Sequence, residues 1–153
     1  MQVIQNGANS AVGQYVVSIA KQKGAKTINI VRDRPNWQET VDGLTQLGAD
    51  VVATPENVQS KTKEAGLEPI LGLNCVGGQI TTTMADLLQK GGVLVTYGAM
   101  TFEPVAVSAT SFIFKDITLK GFWLSGSAAK DPQKHMQMMA RYAMRELPAC
   151  LAL

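Results

Sequence analysis

The sequence predicts the α/β class, with a doubly wound parallel sheet of about six strands in a three-layer α/β/α arrangement. One observation behind this is a series of short, near-continuous apolar runs, such as Ile28 to Val31, Ile70 to Leu73 and Val93 to Val95. Strands buried on both faces read that way, whereas a half-exposed antiparallel strand alternates. A second is that segments of helical spacing separate these runs, giving the repeated β-α-β order of a parallel sheet. The third is size: 153 residues, 46% hydrophobic and 17% charged, suit one domain with an ordinary core. Residues 1–153 are therefore read as a single domain.

Taken in order, Val3-Ile4 leads as a strand into Gly7-Ala8-Asn9-Ser10-Ala11-Val12-Gly13. Val12, Val16, Ile19 and Ala20 then recur at helical spacing as far as Gly24. Thr27-Ile28-Asn29-Ile30-Val31 is a second strand, stopped by Arg32-Asp33-Arg34-Pro35. Asn36 with Glu39 forms a capping pair for a helix whose Trp37, Val41 and Leu44 share a face before Gly48 ends it. Asp50 to Ala53 is a short third strand, and Pro55 to Glu64 a polar loop with a weak helix.

Ile70 to Cys75 is the fourth strand, closing at Val76-Gly77-Gly78. The helix after it turns Ile80, Met84, Leu87 and Leu88 inward and stops at Gly91. Val93 to Tyr97 is the fifth strand, ending at Gly98, and Phe102 to Lys115 a connection with a short helical turn. Ile117 to Trp123 is the sixth. Asp131-Pro132 supplies an N-cap and first residue for a last helix with Met136, Met139, Ala140 and Ala143 on one face. That helix also carries Met138 and Met144, so it holds four of the seven methionines, which read as flexible core filling.

Composition removes several function classes. Fourteen Lys and Arg against twelve Asp and Glu give a net charge of +2. Outside Arg32, Arg34 and the stretch Lys130 to Arg145 the basic residues are scattered, so no nucleic-acid partner is expected. No window approaches the roughly 18 apolar residues of a membrane span. Met1 to Gly7 shows no basic segment followed by an apolar core, and so no export signal. Cys75 and Cys150 lie far apart, and the single histidine, His135, has no evident ligand partners, so no metal site is expected. Cys75, at the end of an apolar run, reads as a buried small hydrophobe.

In a doubly wound sheet of this Rossmann type, ligands bind beyond the carboxyl ends of the strands, where helix N-termini offer free N–H groups. Gly7 to Gly13 is the first such end, a degraded dinucleotide fingerprint with Ser10 where a middle glycine would stand. Some twenty residues on, Asp33 occupies the place of the acid that bonds an adenosine ribose. Asp33 alone suits NAD. Arg32 and Arg34 beside it tip the reading to NADPH, because guanidinium groups pair with a 2′-phosphate.

Asn74 to Gly78 and Tyr97 to Met100 add glycine-bearing strand ends that a flat ring or pyrophosphate can approach. Phe122-Trp123-Leu124-Ser125 ends the sixth strand with two aromatics that suit either a nicotinamide edge or a core. No nucleophile or acid–base set can be assembled, and the chain reads as a cofactor holder with no catalytic residue of its own. Tyr97 is more simply a contact or packing residue than a proton donor.

Five segments carry a family resemblance: Asn9 to Gly13, Ile30 to Pro35, Leu73 to Gly78, Thr96 to Met100 and Gly121 to Ser125. In this order, and across Gln2 to about Glu146, they resemble the mitochondrial trans-2-enoyl-thioester reductases of the medium-chain dehydrogenase/reductase superfamily. The resemblance implies a zinc-independent mitochondrial enzyme of fatty acid synthesis, acting as a homodimer. It reduces the 2,3-double bond of enoyl-CoA or enoyl-acyl-carrier protein with NADPH, hydride going to the β-carbon and a proton to the α-carbon.

By motif, Asn9, Ser10, Ala11 and Val12 meet the pyrophosphate and neighbouring ribose, and Arg32, Asp33 and Arg34 frame the ribose phosphate. Tyr97, Gly98, Ala99 and Met100, with Phe122, Trp123, Leu124 and Ser125, line the nicotinamide end, which Asn74 and Cys75 also approach. The family's catalytic domain, with its proton-donating tyrosine and much of the acyl pocket, flanks the cofactor domain on both sides, and residues 1–153 correspond to the cofactor domain alone. Ala11 stands where the family carries glycine. Two alternatives stay open: a quinone oxidoreductase of the same superfamily, and a non-enzymatic NADPH-binding or dimerisation module pairing through the sixth strand.

Overall fold

A computed structural model describes residues 1–137. The described chain divides into two compact units, the first Met1–Gly121 and the second beginning at Phe122. The first unit contains β1 (Gln2–Asn6), α1 (Ala11–Gln22), β2 (Lys26–Ile30), α2 (Trp37–Leu47), β3 (Val51–Ala53), α3 (Val58–Glu64), β4 (Leu71–Asn74), α4 (Gln79–Leu87), β5 (Val93–Thr96), α5 (Ala109–Phe114) and β6 (Thr118–Gly121). All neighbouring strands pair in parallel, in the order β3-β2-β1-β4-β5-β6. This is the Rossmann order, with its reversal between β1 and β4.

The sheet separates two cores. Ile4, Ile28, Val51 and Leu94 pack with Val58 of α3 and Met84 and Ala85 of α4. Val52, Val31 and Ala8 pack with Val17 of α1 and Leu44 of α2, and Trp37, Val41 and Leu47 close this second cluster. In β3 alternate residues feed opposite clusters, Val51 and Ala53 the first and Val52 the second, as the period of two requires.

Several sequence expectations are corrected in detail. On α1 the inward residues are Gly13, Val17 and Ala20, whereas Val12 is 52% exposed and Val16 and Ile19 are half-buried. The helix lies so close to β1 that its inner stripe has to be small, and the larger apolar residues are turned outward. Asn36 stands at the N-cap of α2 but makes no side-chain cap bond, so the expected pairing with Glu39 is absent; Gly48, at φ 105°, does end the helix. The weak helix expected within the polar segment Pro55 to Glu64 is present as α3, and its Val58 is fully buried. Helix α4 ends at Leu87 rather than at Gly91, because Leu88 is extended and Gln89 donates to the Pro69 carbonyl on the way to β5.

The sixth strand stops at Gly121, two residues short of the expected end. In the second unit Trp123, the expected last residue of that strand, is instead the N-cap of a further helix, α6 (Leu124–Lys130), which the sequence does not predict. Asp131 does cap the next helical segment, 132–137, its carboxylate accepting from the Lys134 N–H at 3.0 Å. Met136 there is 72% exposed instead of inward, and Met138, Met139, Ala140, Ala143 and Met144 lie outside the described residues.

Candidate functional site: the carboxyl edge of the sheet

Parallel register places every strand's carboxyl end at one edge: Asn6 faces Ile30, Asn74 faces Thr96, and Thr96 faces Gly121. The residues after β1, β2, β4 and β5 therefore share that edge. Those after β1 form a tight turn into α1. Gly7 has φ +60°, and a Cβ on it would lie 2.7 Å from Cys75 Sγ, so backbone and space both demand glycine. A Cβ on Gly13 would lie 2.5 Å from the Ala8 carbonyl oxygen, so this glycine lets α1 pack directly on the turn.

Ser10, in extended conformation, caps α1 by accepting the Gly13 N–H on its Oγ at 3.1 Å. Its carbonyl takes the Gln14 N–H at 2.9 Å. The N–H groups of Ala11 and Val12 are thus left at the helix start, with the positive end of the helix dipole behind them. Ala11 and Asn9 are exposed beside them. The methyl of Ala11 stands on the surface and fills no part of the turn.

Arg32, Asp33 and Arg34 follow β2 after the buried Val31, and all three are exposed. The Ala8 N–H donates to the Ile30 carbonyl at 3.3 Å, tying the end of β2 to the glycine turn. Arg32 and Arg34 therefore follow the strand end that is tied to the turn leading into α1. A dianionic group fits between such partners better than a neutral one.

The β4 and β5 ends are joined through backbone. Tyr97 N–H donates to the Asn74 carbonyl at 2.9 Å, Met100 N–H to Cys75 at 3.0 Å and Thr101 N–H to Val76 at 3.0 Å. Tyr97 and Gly98 are half-buried, and Ala99 and Met100 exposed. The Tyr97 hydroxyl is buried with no hydrogen-bond partner among the described residues. Burial, and after it the neighbouring Cys75 side chain, hold this phenol above its ordinary pKa, so it stays protonated and neutral. Cys75 is a buried free thiol under Gly7, as the sequence suggested.

Phe122, Trp123, Leu124 and Ser125 are exposed in the second unit, and the Trp123 ring lies against Gly126. Sequence reasoning passed over a set of buried amides. Gln5 donates to the Gly13 carbonyl at 2.9 Å and to Asn29 Oδ1 at 2.8 Å, and Asn29 in turn donates to Thr27 Oγ1 and the Val51 carbonyl. Asn6 bonds Asn74 at 2.7 Å. The signal was present in the sequence as amides inside otherwise apolar strands, since such side chains are buried only with partners. Among the described residues, no group of three or more His, Cys, Asp or Glu could hold a metal ion.

With this geometry in place, comparison with known proteins is informative. The profile of the zinc-binding dehydrogenase family matches residues 11–141. A mitochondrial enoyl-[acyl-carrier-protein] reductase of Caenorhabditis elegans is 46% identical over 144 residues, covering 92% of this chain and 41% of that protein. The Homo sapiens protein of the same name is 47% identical over 127 residues, 80% of this chain and 34% of its own length. Among solved structures, the Etr1p complex with NADP and crotonyl-CoA superposes with a TM-score of 0.83 at 36% identity, over 92% of this chain and 41% of that one. A Thermus thermophilus quinone oxidoreductase, solved also with NADPH, gives 0.69 at 26% identity, over 82% of this chain and 39% of its own. The chain thus spans between about a third and two fifths of the length of these relatives.

Proposed function

The chain belongs to the zinc-binding dehydrogenase family and is similar to its mitochondrial enoyl-[acyl-carrier-protein] reductases, and on that premise we propose that it is the NADPH-binding part of an enoyl-thioester reductase. The observation that carries this reading is the meeting, at one sheet edge, of the unpaired N–H groups starting α1 with Arg32 and Arg34 on the neighbouring strand end. Pyrophosphate goes to Asn9, Ser10, Ala11 and Val12, where Gly13 leaves no room for a side chain that would lift the helix. The 2′-phosphate goes to Arg32 and Arg34, with Asp33 on the ribose.

Tyr97, Gly98, Ala99 and Met100 line the nicotinamide end. Phe122, Trp123, Leu124 and Ser125 are proposed as cofactor contacts on the resemblance alone. Bound NADPH supplies the hydride. This chain's residues hold and orient it. Zinc, which the family name implies, does not fit the described residues, and no step is assigned to it.

The longer protein is proposed to reduce trans-2-enoyl thioesters of CoA or acyl-carrier protein in the mitochondrion, as a homodimer. The exposed free edge of β6 supports pairing of two copies. The chain by itself is expected to turn over little or nothing, because no positioned proton donor stands among the described residues. The quinone oxidoreductase similarity makes quinone the control substrate for the longer protein.

The test is a calorimetric titration of the chain with NADPH and NADH. NADPH is expected to bind at least about tenfold tighter, and Arg32→Ala to remove most of that preference. Equal affinities, or no binding of either, would overturn the assignment.

A further inference from the structure

The β1–β4 ladder runs through Val3–Leu71, Ile4–Gly72 and Gln5–Leu73 and then stops. This is the point where the strand order reverses, so helices leave β1 and β4 toward opposite faces and a crevice opens between the two ends. Two buried side chains continue the ladder across it. Asn6 Oδ1 accepts the Cys75 N–H at 2.8 Å, and Asn6 Nδ2 donates to Asn74 Oδ1 at 2.7 Å. Asn74 Oδ1 also accepts from Val76 N–H at 3.2 Å and Gly77 N–H at 3.1 Å, while its Nδ2 donates to Thr96 Oγ1 at 3.1 Å. Asn6 is 2% exposed and Asn74 fully buried.

Asn74 can serve those two loop amides only with its oxygen toward them, and the donor that favours this orientation from β1 is Asn6. The Cys75 to Gly77 segment in turn accepts the Met100 and Thr101 N–H groups. We propose that Asn6, acting through Asn74, is a positioning residue for the dinucleotide: it sets the nicotinamide-end loops against the glycine turn without touching the ligand. This rests on the NADPH reading above. It also explains why a polar residue occupies the last buried position before Gly7, where an apolar one would pack without donors to satisfy.

The variant that isolates the effect is Asn6→Asp. It keeps the acceptor for Cys75 but places a second acceptor against Asn74 Oδ1, so Asn74 has to turn over and release the Val76 and Gly77 amides. Asn6→Ala removes both bonds. The full chain and both variants are titrated with NADPH and with 2′,5′-ADP, which lacks the nicotinamide half, and the fluorescence of bound NADPH is recorded. NADPH is expected to weaken about tenfold with 2′,5′-ADP within about twofold, and the nicotinamide emission to shift.

Equal losses for the two ligands, or no loss, would overturn the proposal while leaving the NADPH reading intact. Failure of the parent chain to bind NADPH would remove both. Should the variants not fold, hydrogen exchange on the parent chain decides: NADPH is expected to slow the Cys75, Val76 and Gly77 amides more than 2′,5′-ADP does, and equal protection would overturn the inference.

Discussion

The two halves of the sheet are made from similar apolar strands but are covered differently. In the β3-β2-β1 half both faces are shut: Val3, Gln5, Thr27, Asn29 and Val52 are buried under α1 and α2, and Ile4, Ile28, Val51 and Ala53 on the face that carries Val58 and Met84. In the β4-β5-β6 half only the second face is shut, and only as far as β5. Gly72, Asn74 and Leu94 are buried, but Leu71, Leu73, Val93 and Val95 are half-buried, and all four residues of β6 are exposed. A parallel sheet is normally covered on both faces. The first half is therefore complete within the first unit, whereas the second presents an apolar face and a strand edge of the kind that association covers.

Truncations on the shared, fully covered face should hit both halves hardest and about equally. Ile4→Ala and Leu94→Ala are each expected to cost about 2–5 kcal/mol by denaturant unfolding, since each leaves a cavity in one cluster. A large inequality would mean the halves unfold separately. Next in size is Gly13→Ala, which attacks only the closed half by driving a methyl into the Ala8 backbone; about 1–3 kcal/mol is expected, with weaker NADPH binding as α1 lifts.

Its counterpart in the open half, Leu73→Ser or Val95→Thr, should cost less than about 1 kcal/mol in the chain as a monomer. If sedimentation shows self-association, the same changes should weaken it. The smallest effect belongs to Tyr97→Phe. Removing a buried hydroxyl without a partner should be neutral or slightly stabilising. Because the folded state holds this phenol's proton above its usual pKa of about 10, stability contributed below that pH is lost as pH rises beyond it. Unfolding midpoints should therefore fall less steeply above about pH 10 in Tyr97→Phe than in the parent chain.

The closed half was also the more legible in the sequence. Strands β1, β2 and β3 and the glycine turn follow from runs of Val and Ile and from two glycines, because local chain geometry sets them. Which side of α1 faces inward did not follow, since a helix pressed onto a strand selects Gly13 for its size over Val12 for its hydrophobicity. The end of β6 was misplaced for a related reason: Phe122 and Trp123 have high strand propensity, but no neighbouring strand extends the pairing beyond Gly121. Strand ends bearing Arg32 to Arg34 and Tyr97 to Met100 were readable because glycine, proline and charge punctuate them. The pairing of the amides under the site was not, since a single Asn in an apolar run signals a buried partner but does not disclose which residue 68 positions away supplies it.

That separation has a bearing on how the molecule assembles. Strand β1 meets β2 through the α1 crossover, with Gln5 and Asn29 only 24 residues apart, but waits for β4, and the Asn6–Asn74 bond closes a loop of 68 residues. Long closures cost more chain entropy and come late, so the β1–β4 seam is expected to zip after the β1–β2 unit has formed. Stopped-flow kinetics would then show Asn74→Ala accelerating unfolding while scarcely slowing refolding, and a slowed refolding limb would contradict that order. On this account the crevice proposed to receive the dinucleotide is also the last seam of the sheet to close.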